Sequence, residues 1–325
     1  MLTLYKELTY HTEGLCHILI LKDGRLSSSA ADNSIIIYNK ETFEPDLIIK
    51  EHENIVNYHI QLKNENIVTC SWDFTLKIIK LISNNKYEVI QILKGHTFYV
   101  DKALETEEGQ LITSADDKTV IIWKKNEKNN LFEIQKKFLI SEEECPNANI
   151  VFINDTFLLC SSVNDEKLSF FEMKNNFQFI FAFTNINCCF SRNSILYIKE
   201  KDLLLVGGIY HSGIYLFKFK KFPMFIKKYN ISNNFLDNFS EVYSIILNTE
   251  GDLLIGSEQA HINNIYKFKI NENNNDLILI NKMENAHEDL IHGLIDWKER
   301  DFIVSCSRDK KVKLWKVNQN SEKNE

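Results

Sequence analysis

The sequence predicts an all-β fold, a closed ring of repeated four-stranded antiparallel sheets. Three observations carry this. One motif recurs along the chain: a strand, small residues, an Asp, a short turn and an alternating strand. Its spacing fits a propeller. No segment keeps a helical period over three turns.

The motif is clearest in ITSADDKTVIIW, ending at Trp123. It returns in VSCSRDKKVKLW, ending at Trp315, and VTCSWDFTLKII, ending at Ile79. An Asp stands six residues before the last large residue in each: Asp117, Asp309 and Asp73. SSSAADNSIIIY repeats this with Asp32 and Tyr38. Fainter copies end at Phe171, with Asp165 in the Asp place, at Phe217, with His211 there, and near Phe268, where the turn is longer. The seven end positions are spaced by 41, 44, 48, 46, 51 and 47 residues. A period of roughly 40–45 residues with several short strands per unit is the sequence sign of a propeller, lengthened here by loops.

Each unit opens on a turn. Glu51-His52 follows DLIIK, Gly95-His96 follows YEVIQILK and Ala286-His287 follows LILINKM. The next strand, such as VDKALET or IHGLIDW, is the innermost of its unit. A lone four-stranded unit cannot bury both faces, whereas a ring of them buries each against its neighbours. The last unit, 286–316, supplies only three strands. The N-terminal LTLYKELT alternates like a strand and has no unit of its own. It is expected to be the outer strand of the last blade, beside the strand ending at Trp315, so that the two chain ends lock the ring. One domain then spans 1–317, and the polar residues 318–325 form a disordered tail. Glu142–Cys145 suggests a short helical turn.

His96 followed 27 residues later by Trp123, and His287 followed 28 later by Trp315, resemble WD repeats. The resemblance extends over about 2–316. It is specific in units two, three and seven, fair in unit one and weak in four to six. It departs from the family after the terminal Trp, where Lys124 and Lys316 replace Asp. The resemblance implies a seven-bladed β-propeller. It also implies a hydrogen-bonded tetrad of His287, Ser307, Asp309 and Trp315, in which His, Ser and indole donors satisfy a buried carboxylate. Read as chemistry, His-Ser-Asp would be a catalytic triad. Its partial recurrence in His52, Ser71 and Asp73, and in His96 and Asp117, marks it as architecture.

The chain has 325 residues, 44% hydrophobic and 26% charged, with a net charge of -7, which argues against nucleic-acid binding over the whole surface. No apolar run reaches membrane-spanning length. No basic and apolar leader opens the chain. Seven scattered cysteines suggest reduced thiols and a cytoplasmic or nuclear location. Cys188-Cys189 reads as core, since neighbouring cysteines bridge poorly. No phosphate loop, zinc-protease motif or paired CxxC is present, so no cofactor and no catalytic group are expected.

Function is therefore sought on the top face, where the resemblance places partner sites. Residues before the turn Asp point there: Trp72, Asp116, Arg308, Asn164 and Tyr210. So do those opening the innermost strands: Ile55 and Asn57, Tyr99 and Asp101, Leu290 and His292, and Glu241 and Tyr243. Trp, Tyr and Arg dominate interface hot spots. Trp72 is either a contact residue or packing beside the neighbouring turn. Asp101 and Asp116 suggest an acidic patch. The expected function is a non-catalytic scaffold or adaptor that binds peptides or domains of other proteins, as a monomer within a larger hetero-complex. Two alternatives are weighed. The basic, aromatic stretch 218–228, with Lys220, Lys221, Lys227 and Lys228, could touch RNA or acidic lipid. An enzyme could instead use Asp101, Glu241 and His292 at the central channel.

Overall fold

The computed structural model describes residues 2–140, 149–161, 167–184, 189–209, 213–219, 223–229, 240–259 and 261–317. The described strands group into seven antiparallel blades. Blade one runs Leu15–Ile20, Leu26–Ala30, Ile35–Tyr38 and Pro45–Ile49. Blade two is Val56–Gln61, Ile67–Ser71, Thr75–Ser83 and Lys86–Lys94. Blade three is Val100–Glu105, Leu111–Ala115, Thr119–Lys125 and Phe132–Leu139. Blade four is Asn149–Ile153, Phe157–Ser161, Leu168–Glu172 and Gln178–Phe183. Blade five is Cys189–Ile198, Leu203–Ile209, Ile214–Phe219 and Pro223–Tyr229. Blade six is Ser240–Leu247, Asp252–Gln259, Ile262–Ile270 and Leu277–His287. A single parallel pair, Asn193 with Ser244, links the inner strands of blades five and six.

Blade seven takes Ile291–Trp297, Phe302–Ser307 and Val312–Val317 from the end of the chain and Leu2–Leu8 from its start. Leu2 pairs with Val317, Leu4 with Trp315 and Leu8 with Val312. The N-terminal segment is thus the outer strand of the last blade.

Period-two alternation sends each middle strand's side chains into two cores. Ile35 and Ile37 join a cluster with Val56, Ile67 and Ile79 of blade two. Ile36 and Tyr38 join one with Trp297, Val304 and Leu314 of blade seven. Seven such clusters occupy the seven seams between blades. The outer strands have only one packed face, so Lys86–Lys94 alternates between half-buried and exposed. No helix among the described residues is long and apolar enough to cross a membrane. Glu142–Cys145, Cys188 and the tail 318–325 lie outside the described residues.

Candidate functional site

Antiparallel strands place the turns that carry the Asp, and the loops that lead into each inner strand, at the same end of the ring. Four blades build this end alike. In blade seven, Asp309 Oδ2 is 2.8 Å from His287 Nδ1 and accepts from the Glu288 amide at 3.0 Å. Its Oδ1 accepts from the Lys311 amide at 3.0 Å. His287 Nε2 meets Ser305 Oγ at 2.6 Å, and Trp315 Nε1 donates to that Oγ at 2.8 Å. The protons follow one another: Trp315 to Ser305, Ser305 to His287, His287 to Asp309.

The serine of this tetrad is therefore Ser305, which corrects the expectation of Ser307. Trp315 pairs with Ile303, so its indole reaches Ser305 diagonally on the same face. Ser307 lies two residues further, about 7 Å at the strand rise. Its hydroxyl instead donates to the Asp289 carbonyl and accepts from the Asp309 amide. Blade three has the full set His96, Thr113, Asp117 and Trp123. Blade two uses His52, Thr69 and Asp73, so Thr69 rather than Ser71 takes the hydroxyl place. Blade one has His11, Ser28, Asp32 and Tyr38. Two spacings in the sequence carried this signal. The hydroxyl stands ten residues before the terminal residue in all four blades, and His11 stands 21 before Asp32, as His52 does before Asp73.

Burial pushes Asp73 and Asp117 up, but their His and Thr hydrogen bonds outweigh it and hold both carboxyls well below the usual range. Burial lowers His96 and His287 against the opposing pull of their Asp partners. Gly95 precedes His96 because a Cβ there would lie 2.9 Å from the Trp123 ring and from Ile134.

These turns bring the sequence-predicted residues together in pairs. The Trp72 amide donates to the Ile55 carbonyl, Asp116 to Tyr99 and Arg308 to Leu290, at 2.9–3.0 Å. Ile55, Leu290 and Asp116 are half-buried, and Arg308 is exposed. Between blades, the residue before the Asp packs on the residue that opens the next inner strand. Arg308 lies against Gly14, where an added Cβ would meet its backbone at 3.0 Å. Arg308 Nε is 3.9 Å from Asp289. Trp72 stacks on Tyr99, with centroids 4.4 Å apart and planes 15° apart. Phe74 stacks on Phe98 at 5.7 Å, and Phe98 touches Tyr99 at 4.3 Å.

Phe74 and Phe98 are 40% and 43% exposed, and neither stood among the predicted contact residues. Phe74 also has φ +71°, the left-handed region. Asn33, Lys118 and Lys310 hold the same turn position in other blades. A bulky side chain there costs on the order of 1–2 kcal/mol.

Other expectations are corrected. Asn57 and Asp101 are 1% and 0% exposed, so neither presents itself to a partner, and Asp101 forms no surface acidic patch with Asp116. Asn57 Nδ2 donates to the Asp101 carbonyl and to its Oδ1, each at 3.2 Å, tying two inner strands together. His292 Nδ1 donates to the Leu15 carbonyl at 2.8 Å, and Tyr243 donates its hydroxyl to Glu241. Asp101 is thus tied to Asn57, whereas Glu241 and His292 both adjoin Tyr243, one at its hydroxyl and the other at its ring, 6.3 Å between centroids. Among the described residues no three His, Cys, Asp or Glu side chains converge as a metal would require. Tyr210, Asn164, Lys220 and Lys221 lie outside the described residues. Lys227 Nζ is 2.6 Å from Asp276, and Lys228 lies over the Tyr215 ring.

Around the axis, His17 and His59 meet across blades one and two, Nδ1 to Nδ1 at 3.5 Å. His59 Nε2 is 2.8 Å from Ser27 Oγ, which donates to the Leu19 carbonyl. Burial, with a smaller push from His11, lowers His59 to about 3. Burial, then His59 and Lys102, lowers His17 well below its ordinary value. Burial lowers Lys102 itself to about 7.

Acid stability follows from this axial group. Below pH 6.5 the unfolded chain protonates these imidazoles while the native state does not. Their contribution is complete above about pH 6.5 and is lost as pH falls toward 3. His59 alone accounts for a loss of about 2 kcal/mol by pH 5. Thermal midpoints measured from pH 7.5 to 5 are expected to fall steadily. His59→Gln should flatten that fall by about one proton, and an unflattened curve would exclude His59 as its source.

A family model described as WD domain, G-beta repeat matches residues 87–124 and 282–316. Comparison with curated proteins finds no match. The matched segments span most of blade three and reach from blade six's outer strand into blade seven, the two blades that carry the complete His, hydroxyl, Asp and Trp set. These two segments are matched as WD repeats, and the ring that holds them is a β-propeller of four-stranded blades.

Proposed function

We infer that the chain is a non-catalytic scaffold within a larger assembly, holding a partner protein on the top of blades two and three. WD-repeat propellers generally mediate protein interactions in this way. The observation that carries the reading is the aromatic group Trp72, Phe74, Phe98 and Tyr99, in which Phe74 and Phe98 are exposed, above all Phe74. An exposed Phe in left-handed backbone weakens the fold, so a role in contact accounts for it better than stability does. The Trp72–Tyr99 stack fixes the base of the group, and the two Phe rings supply the accessible face. Buried thiols at Cys70 and Cys306, pushed up by burial, fit a reducing cytoplasmic setting.

The double variant Phe74→Asn, Phe98→Ser tests the reading. Phe74→Asn relieves the turn by about 1 kcal/mol, so the variant is expected to melt no lower than wild type. Tagged wild type and variant are compared by quantitative mass spectrometry of captured proteins from the native cell. The expected result is a defined set of partners depleted at least ~10-fold from the variant, as for an interface hot spot. Equal recovery would move the interface elsewhere on the ring.

A further inference from the structure

The opposite face of the ring carries an unfilled seam. A cavity of about 190 Å³ opens between blades three and four, floored by Phe152, Met173 and Phe177. The end of blade three's inner strand and the turn after it bring Glu105, Glu107 and Glu108 to its lining, which Asp155 joins. Lys174 is the one cation among the lining residues. Three of the carboxylates are engaged: Glu105 accepts from the Lys63 amide, Glu107 pairs with Lys63 Nζ at 2.7 Å and Asp155 with Lys199 at 3.3 Å. Glu108 is exposed and has no ion-pair partner among the described residues.

The ring shows elsewhere what such a seam can hold. Between blades seven and one, the equivalent turn carries Arg300. Its guanidinium lies 5.6 Å from the Phe43 ring centre and 5.2 Å from that of Trp297. Its NH2 is 2.9 Å from Glu41 Oε1. Phe43 and Phe177 occupy matching places, each shortly before its blade's outer strand and each at positive φ, +61° and +54°. At the seam between blades seven and one the chain supplies its own arginine. At the seam between three and four the same turn supplies carboxylates, and no guanidinium of the described residues lies over Phe152 or Phe177.

We propose that this pocket binds the guanidinium side chain of an arginine presented by a partner protein. A planar guanidinium stacks on an aromatic face while its N–H fork bonds a carboxylate, which an ammonium cannot do. The cavity is smaller than the ~300 Å³ at which small-molecule sites begin, and one long side chain suits it. The inference goes beyond the scaffold reading and does not depend on it, since the pocket lies on the other face from the aromatic group.

The test uses the full chain labelled with ¹³C at its methionine methyls, the Met173 signal being assigned with Met173→Leu. N-acetyl-arginine methylamide is titrated in, followed by the citrulline and lysine analogues. The expected result is a saturable movement of the Met173 signal with the arginine probe, none with citrulline, and weaker binding of lysine. Glu107→Gln with Glu108→Gln, both at exposed turn positions, should weaken the arginine probe at least ~3-fold. No saturable movement, equal response to citrulline or lysine, or indifference to the Glu→Gln pair would each overturn the proposal.

Discussion

Removing residues 1–10 is expected to lower the thermal midpoint by at least ~5 °C. The deletion takes away the whole outer strand of blade seven and leaves Val312–Val317 with an unpaired edge. It also removes Leu8, 1% exposed and part of the core shared by blades one and seven. Trimming one such buried leucine to Ala costs about 2–5 kcal/mol. At about 2.1 cal/mol/K of unfolding entropy per residue, a chain of this size loses roughly 1.5 °C per kcal/mol. The exposed Thr3→Ala serves as control and should stay within about 0.5 kcal/mol. Circular dichroism melts give the comparison, and a synthetic peptide of residues 1–10 added in excess should restore part of the midpoint. An unchanged midpoint in the deletion would mean that the ring does not depend on this strand.

The tetrad in blade seven yields the second large effect, a ranking. Asp309→Ala is expected to cost about 3–5 kcal/mol, because it strips a buried imidazole of its partner. It also leaves the Glu288 and Lys311 amides without their acceptor. Ser305→Ala should cost about 2–3 kcal/mol, since it orphans His287 Nε2 and Trp315 Nε1 together. Ser307→Ala should cost only about 1 kcal/mol, its two bonds lying at the partly open turn. Urea titrations of the three variants measure the order. A greater loss for Ser307→Ala than for Ser305→Ala would refute the tetrad as drawn.

Much of this architecture was legible in the residues. Strand alternation and the Asp spacing gave the blades, and the spare strand LTLYKELT gave ring closure. The same register put Trp72 and Tyr99 on adjacent blades, though not their stacking. What stayed hidden depends on the third dimension. SRD puts Ser307 next to the turn, yet indole reach selects Ser305, a choice that only the cross-strand register settles. Asn57 and Asp101 look like surface polar residues in a list. Their burial follows from how closely neighbouring inner strands approach around the axis, which no single strand encodes. Phe74 gave no sign either, because hydrophobic pattern does not report a positive φ. The pocket between blades three and four needs two distant turns to meet, and neither turn alone suggests a cavity.

The pairing of Leu2 with Val317 also dictates an order of events during synthesis. Leu2–Leu8 is made long before its partner Val312–Val317, so it must wait while the intervening blades emerge. Until then six blades can stack as an open arc whose two terminal faces are bare. A chain cut short before blade seven would therefore expose two apolar ends, each able to join another such arc.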